Sequence, residues 1–410
     1  MSKQAYKFRL YPTRKQIARL QETLDACRNL YNAALTERRD AYNFHVRQHP
    51  NYYDEPTRKE RSREIGINYY SQANQLPEIK ELREEYHTIH SQVLQDVLMR
   101  VKKAFDHFFR RCKNGEEPGY PRFQGKNRYD SFCYPQGGYS LTHDNRVCLS
   151  KIGSIKVKLH RQIKGTIKTC TIKREGDAWY VVFACEVESE PLEANNEAVG
   201  IDLGLLHFAT LSDGSTIENP RYYRKAEKKL ERLQQSLARK KRGSTRRRKV
   251  VKQVAKAHRK VANQRKDFLH KASRQLVNAY GTIVFEELQP ANMSKRPKPK
   301  QDEQGNYVPN GAAAKGGLNK SIVDAGWAMF QQFCTYKAAN AGRKVLLVSP
   351  RYTSQVCSDC GAMQRKELSE RWHSCRCGCE LDRDHNAAIN IFRLGTSQQT
   401  LQGVCRSSAL

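Results

Sequence analysis

Three acidic residues of this chain stand where a carboxylate is costly to keep. Asp202 interrupts the apolar run Val199-Gly-Ile-Asp-Leu-Gly204, Glu286 closes the run Thr282-Ile-Val-Phe-Glu286, and Asp384 opens the helical pattern Asp382-Arg-Asp-His-Asn-Ala-Ala-Ile-Asn-Ile391. A carboxylate in apolar surroundings loses its hydration, and a cation is the natural compensation. Taken singly, the three have ordinary structural readings: a turn acid at Asp202, a solvated strand end at Glu286, a helix cap at Asp384. They lie 84 and 98 residues apart, so only a fold could gather them, and carboxylate oxygens with water are the ligands Mg²⁺ prefers. Two such ions would activate a water and stabilise the leaving oxygen in phosphodiester hydrolysis. Glu287 and Asp382 are the nearest substitutes for the chosen positions.

A second chemistry is written in sulfur. Of 13 cysteines, eight are scattered singly and five crowd between Cys357 and Cys379. Cys357-Ser-Asp-Cys360-Gly361, followed by Cys375-Arg-Cys377-Gly378-Cys379, presents paired thiols 15 to 20 residues apart, a spacing that offers tetrahedral zinc soft ligands from two turns. A glycine after Cys360 and another after Cys377 suit a chain turning sharply around the metal. Cys375 and Cys377 are therefore the expected second pair, with Cys379 as the rival for one place. Four thiolates leave no open position for water, so the expected Zn²⁺ is structural rather than catalytic. The competing reading is a set of free intracellular thiols.

The elements that must position these groups belong to a large, polar and basic chain. Its 410 residues allow two to four domains; 38% are hydrophobic, 28% are charged, and the formal net charge is +31. Such an excess repels itself unless a polyanion is present, so nucleic acid is the leading expected partner. No stretch approaches the ~18 apolar residues of a membrane span. The opening MSKQAYKFRLYP lacks the apolar core of a signal segment, so a cytoplasmic protein without a membrane partner is expected.

AYKFRLYPT alternates apolar and basic residues as a strand with one wet face would, and Pro12 ends the run. From Ile17 the period becomes helical. Ile17, Leu20, Leu24, Cys27 and Tyr31, then Leu94, Val97, Val101, Phe105 and Phe108, predict mostly helix over 14–113, with HPNYYDEPTRKE as a loop. After the turn-rich NGEEPGYPRFQGKNR, apolar runs at 155–159 and 179–187 predict a β region to about residue 190, which the first strand is placed to join. From Ala198 the pattern is α/β, with GTIVFEEL and RKVLLVSP as buried strands between helices. Residues 221–280 predict a long helical stretch broken at Gly243-Ser244. Within it, 221–271 hold 21 Lys plus Arg against 3 acids, a net charge of +18. Segment 294–320, rich in Gly, Pro and Asn without periodicity, is expected to be a mobile loop. Tyr120, Phe123, Tyr129 and Phe132 lie among basic residues, where core packing and stacking on bases are both open readings.

In this order, GIDLG, FEELQPANM, SPRYTSQVCSDCG, CRCG and LDRDHNAAINI resemble the RuvC-like nuclease half of TnpB, a family of transposon-encoded RNA-guided DNA endonucleases related to type V CRISPR effectors. KFRLYPTRKQ, LQDVLMRVKKAFDHFF and GYPRF extend the resemblance upstream. It implies a multidomain α+β fold. A wedge-type β-barrel (1–13 and 116–192) is interrupted by a helical recognition region (14–115). An RNase H-like (RuvC) α/β domain (193–350 and 381–395) follows, with a zinc-binding insertion (351–380) and a tail (396–410). By motif match the family's catalytic acids fall on Asp202, Glu286 and Asp384. The implied partners are a guide RNA derived from the transposon end and a double-stranded DNA target with a short adjacent motif, met on the prokaryotic nucleoid. The second cysteine pair departs from the usual C-x-x-C, reading C-x-C with Cys379 in addition. Holding a heteroduplex by its backbone requires Lys and Arg along a channel, and 221–271 is the expected part of it. The alternative class is a non-catalytic zinc-containing nucleic-acid-binding regulator of transposition; an unguided nuclease or strand transferase is the third.

Overall fold

In Tyr6-Lys7-Phe8-Arg9-Leu10 every second side chain is apolar, and Tyr6, Phe8 and Leu10 are the buried ones. The computed structural model describes residues 2–48, 54, 60, 66–126, 128–188, 191–367 and 370–407, and forms this strand, β1, over Ser2–Tyr11. The chain divides into two units, residues 1–188 and 189–410.

In the first unit β1 pairs on one side with β5 (Gly153–Lys158) and on the other with β7 (Ala178–Val187). With β2 (Ser131–Tyr134), β3 (Tyr139–Thr142), β4 (Arg146–Leu149) and β6 (Thr166–Glu175) they make an antiparallel sheet of order β2-β6-β7-β1-β5-β4-β3. Its two edges meet. The Tyr134 hydroxyl on β2 donates to Ser150 O, and Ser150 N donates to Gly138 O beside β3, so the sheet is a nearly closed barrel.

Between β1 and β2 stand α1 (Arg14–Ala41), α2 (Tyr69–Asn74), α3 (Leu76–Leu82) and α4 (Ser91–Lys113). Pro12 stops the strand, and Thr13 with Gln16 forms a reciprocal capping box that starts α1. Leu20, Leu24, Cys27 and Tyr31 of α1 share a core with Leu94, Val97 and Val101 of α4, as the spacing predicts. Apart from Asp54 and Glu60, the loop expected at 49–60 lies outside the described residues. Tyr129 and Phe132 belong to the core, while Tyr120 and Phe123 are exposed, the latter 5.1 Å beneath the Arg39 guanidinium.

The second unit is built on a five-stranded sheet of order β10 (Thr216–Glu218), β9 (His207–Leu211), β8 (Ala198–Asp202), β11 (Thr282–Glu286), β14 (Lys344–Val348). β8, β11 and β14 run parallel; β9 and β10 form an antiparallel edge. The two-residue period sorts the strand side chains between two layers. Val199, Ile201, Ile283 and Phe285 share a core with Leu276 of α6 (Thr245–Ala279) and Phe330 of α9 (Trp327–Asn340). Val284 packs instead with Ile391 of the last helix, α10 (Arg383–Ser407), and Gly200 lies against that helix too. α5 (Tyr222–Ala238) packs along α6, the two separated by a turn at Gly243. Residues 245–260 of α6 bury no side chain. The minor elements are α7 (Pro290–Met293), a hairpin of β12 (Lys300–Gln301) and β13 (Tyr307–Val308), α8 (Ala312–Ala325), and a hairpin of β15 (Trp372–Ser374) and β16 (Glu380–Asp382).

Two expectations are corrected. Segment 294–320 is not a structureless loop: it holds the β12–β13 hairpin and the start of α8, where Gly311 at φ +71° turns the chain into Ala312-Ala313-Ala314, the best helix formers. Residues 396–407 continue α10 rather than forming a separate tail, and 408–410 lie outside the described residues. Among the described residues no helix is long and apolar enough to cross a membrane.

Candidate active site and metal centre

Ile201 pairs with Phe285 across the parallel β8–β11 ladder, so the next residue of each strand, Asp202 and Glu286, stands at the same sheet edge on neighbouring strands, about 5 Å apart along the ladder. Alternation puts both on the α10 face. A side chain at Gly200 would meet Ala388 O at 2.2 Å and Phe392 N at 2.4 Å, so only a bare Cα lets α10 lie this close to β8. That approach sets the first turn of α10, with Asp384, at the edge held by the other two acids; a Cβ at Gly204, just past β8, would stand 3.6 Å from Asp384 Oδ2. The helix cap is Asp382, not Asp384. Its Oδ1 accepts from the backbone N–H groups of Asp384 (2.8 Å) and His385 (3.2 Å).

The electrostatics favour an added cation. Burial, then the neighbouring Glu286 and Asp384, push the Asp202 carboxyl well above its ordinary range, with Arg383 opposing. Burial also raises Glu286, against a hydrogen bond from the Thr353 hydroxyl to Glu286 Oε1. Asp384 is raised by burial and by Asp382, and lowered by Arg371, Arg383 and His207. Arg371 Nη1 lies 3.9 Å from Asp384 Oδ1. The three acids are neighbours along an edge rather than a closed cage: among the described residues only cysteine-containing groups bring three or more donor atoms within 4.8 Å of one another. Hard oxygen donors that repel one another while partly dehydrated fit Mg²⁺.

The cysteine centre is compact. The sulfurs of Cys357, Cys360, Cys375 and Cys377 all lie within 4.8 Å of one another, with Cys357–Cys377 at 3.7 Å and Cys360–Cys375 at 3.6 Å. Gly361 (φ +75°) and Gly378 (φ +89°) supply the left-handed turns expected after each pair. Cys379 is outside the tetrad, but its sulfur lies within 4.8 Å of the tetrad's Cys357, the two forming a second group with His373. Burial works against the Cys357 thiolate, but backbone N–H groups of Cys360 and Asp359, with His373 and Cys377, outweigh it and bring the thiol down to about 5. Cys377 is raised to about 12: the Cys379 backbone N–H lowers it, but burial and the sulfurs of Cys360, Cys375 and Cys357 prevail. Four sulfurs this close cannot all ionise without a cation, and a tetrahedral soft set fits Zn²⁺.

Several side chains around the acids were not singled out by their sequence. Thr353 reaches Glu286 from a loop, and Asn386 and Asn390, buried on α10, hold that loop's backbone. The one legible signal was two asparagines four residues apart in DHNAAIN, which fall on one helix face.

Three family models match the chain: one described as "Probable transposase" (OrfB of IS605) over residues 182–297, a "Cas12f1-like, TNB domain" over 327–391, and a "Helix-turn-helix domain" over 1–45. The last segment is here a strand followed by one long helix. InsQ of Escherichia coli (strain K12), described as a candidate RNA-guided DNA endonuclease, is 34% identical over 96% of this chain and 92% of its own length. The chain belongs to the TnpB family. A Streptomyces pristinaespiralis relative with the same description is 29% identical over 96% of this chain and 89% of its own. The TnpB fold is shared more widely. The cryo-EM structure of a Cas12f1–sgRNA–target DNA complex superposes with a TM-score of 0.54 over 92% of this chain and 82% of that one, at 14% identity.

Proposed function

We propose that this chain is an RNA-guided DNA endonuclease that hydrolyses target phosphodiester bonds at a single RuvC-like site formed by Asp202, Glu286 and Asp384. The observation that carries the reading is the shared edge: two acids at the ends of adjacent parallel strands and a third in the first turn of the helix that crosses them. Open α/β sheets build their sites at the carboxyl ends of strands. Mg²⁺ held by these carboxylates would activate water and stabilise the leaving oxygen. Until then the three acids repel one another, with Arg371 and Arg383 limiting the repulsion.

The tetrad of Cys357, Cys360, Cys375 and Cys377 holds a structural Zn²⁺ that fixes the insertion between β14 and α10. In this reading the first unit is the wedge-type barrel, with α1 to α4 as its helical recognition region. The basic α5–α6 pair tracks the phosphates of a guide RNA–target DNA heteroduplex, whose sequence is read by base pairing beside a short protein-read motif. The guide comes from the transposon end, and the protein works in the cytoplasm on the nucleoid.

The test is cleavage of a matched duplex by the full chain loaded with guide RNA in Mg²⁺. Asp202→Ala should slow cleavage by at least about 10²–10³-fold, the scale of losing one electrostatic group from a reaction centre. Unchanged cleavage would remove Asp202 from the site. Tight, steeply salt-dependent DNA binding with no hydrolysis under any guide or metal would favour a regulator instead.

A further inference from the structure

We propose that the strap Pro350–Ser358 presets the acidic edge, with Thr353 as the positioning residue for the Glu286 carboxylate; the inference rests on the nuclease reading above. Thr353 is 5% exposed, and its hydroxyl donates to Glu286 Oε1, with Pro350 O the next acceptor at 3.5 Å. The strap is gripped from its other side by the helix that carries Asp384. Asn390 Nδ2 donates to Thr353 O (2.9 Å) and Val356 O (2.7 Å), and Asn386 Nδ2 donates to Val356 O (2.8 Å). Asn386 Oδ1 accepts from Ser358 N at 2.8 Å. Both amides are buried, Asn386 completely, so water does not substitute for these bonds.

The backbone gives an independent sign. Tyr352 adopts φ +65°, a conformation that non-glycine residues avoid, and the residue is 55% exposed, so burial does not hold it there. Its neighbours do: Gln355 N and Val356 N donate to Tyr352 O at 2.9 and 3.0 Å, and the Thr353 hydroxyl and the asparagine grip hold the residues that follow. One strap thus ties the end of β11 to the first two turns of α10 and runs on into Cys357 of the tetrad. Two of the three acids are set relative to each other by buried hydrogen bonds made wholly within the protein, before any cation binds.

The test uses the full-length protein and Mn²⁺ as the probe, with bound ion read by electron paramagnetic resonance without nucleic acid, and the Mg²⁺ half-saturation of guided cleavage as a second readout. Thr353→Val keeps the shape and removes the donor. It should weaken Mn²⁺ binding at the acidic edge by about 10–100-fold, with a matching rise in the Mg²⁺ requirement and unchanged zinc content. Thr353→Ser should restore both. Asn390→Ala, which loosens the strap without touching Glu286, should weaken Mn²⁺ in the same direction, whether or not Thr353→Val folds well. Unchanged affinity in Thr353→Val or in Asn390→Ala, or a Thr353→Ser as weak as Thr353→Val, overturns the proposal. Asp202→Ala sets the baseline: if it binds Mn²⁺ as tightly as the unsubstituted chain, the nuclease reading itself falls.

Discussion

Replacing Gly200 with alanine tests whether close helix–strand contact is what assembles the acidic edge. The new Cβ would stand 2.2 Å from Ala388 O, 2.4 Å from Phe392 N and 2.7 Å from Phe392 Cβ. Two of these are backbone atoms of α10, which cannot swing aside as a side-chain tip can. Ordinary contact needs about 3.4 Å, so α10 must retreat from β8 by roughly 1 Å. Overpacking of this kind destabilises by about 1–3 kcal/mol. The larger effect should fall on catalysis, because Asp384 moves with the helix while Asp202 stays on the strand, and a misplacement near 1 Å can cost about 10²-fold in rate. The assay is guided cleavage in Mg²⁺ alongside thermal unfolding.

Gly395→Ala is the control. Its Cβ would press on Val284 side-chain atoms at 2.5 Å and 2.6 Å, three turns away from Asp384, so it should destabilise the unit yet leave the folded fraction nearly as active as before. A Gly200→Ala protein that cleaves at the unsubstituted rate would refute the reasoning. So would a Gly395→Ala protein that loses as much activity per folded molecule.

Two further outcomes follow from the cysteine tetrad and a buried lysine. A Cys357→Ser, Cys360→Ser double variant should fall from one zinc per chain to nearly none with a lower unfolding temperature, whereas Cys379→Ser should keep its zinc; metal analysis that finds the reverse rejects the tetrad. Lys337 is 5% exposed, its ammonium donates to His270 O and Ser273 Oγ, and burial, with Arg274 nearby, lowers it to about 8. Between that value and the ordinary lysine range near 10.4, the unfolded chain binds a proton that the folded chain has released, so stability should rise with pH across this window. Lys337→Met should lack that rise in denaturant titrations at pH 7.5 and 9.5, and parallel profiles would show the assignment to be mistaken.

What was legible in the sequence was whatever announces itself locally. A charge inside an apolar run marked Asp202 and Glu286, strict alternation marked β1, heptad-like spacing marked α1 and α4, and thiol spacing with trailing glycines marked the tetrad. Relations made by tertiary contact were hidden. Asn386 and Asn390 look like the wet face of an amphipathic helix until a strap more than 25 residues upstream covers them. Thr353 is an unremarkable hydroxyl until β11 ends beside it. Asp382 and Asp384 compete for the cap, and the choice depends on which side chain turns back toward the helix amides. α8 was concealed by Gly316 and Gly317 within its span, which break the pattern without preventing the helix.

The order of the acids along the chain gives the closing helix a further meaning. Asp202 and Glu286 leave the ribosome well before α10, and translation at about 5–20 residues per second needs roughly 5–20 s for the 98 residues that separate Glu286 from Asp384. During that interval the α10 face of β8 and β11 is bare and the third acid does not yet exist. On the proposed assignment of the three acids, a nascent polypeptide would therefore hold an incomplete site, and the capacity to cut DNA would arrive only with the segment synthesised last among the three.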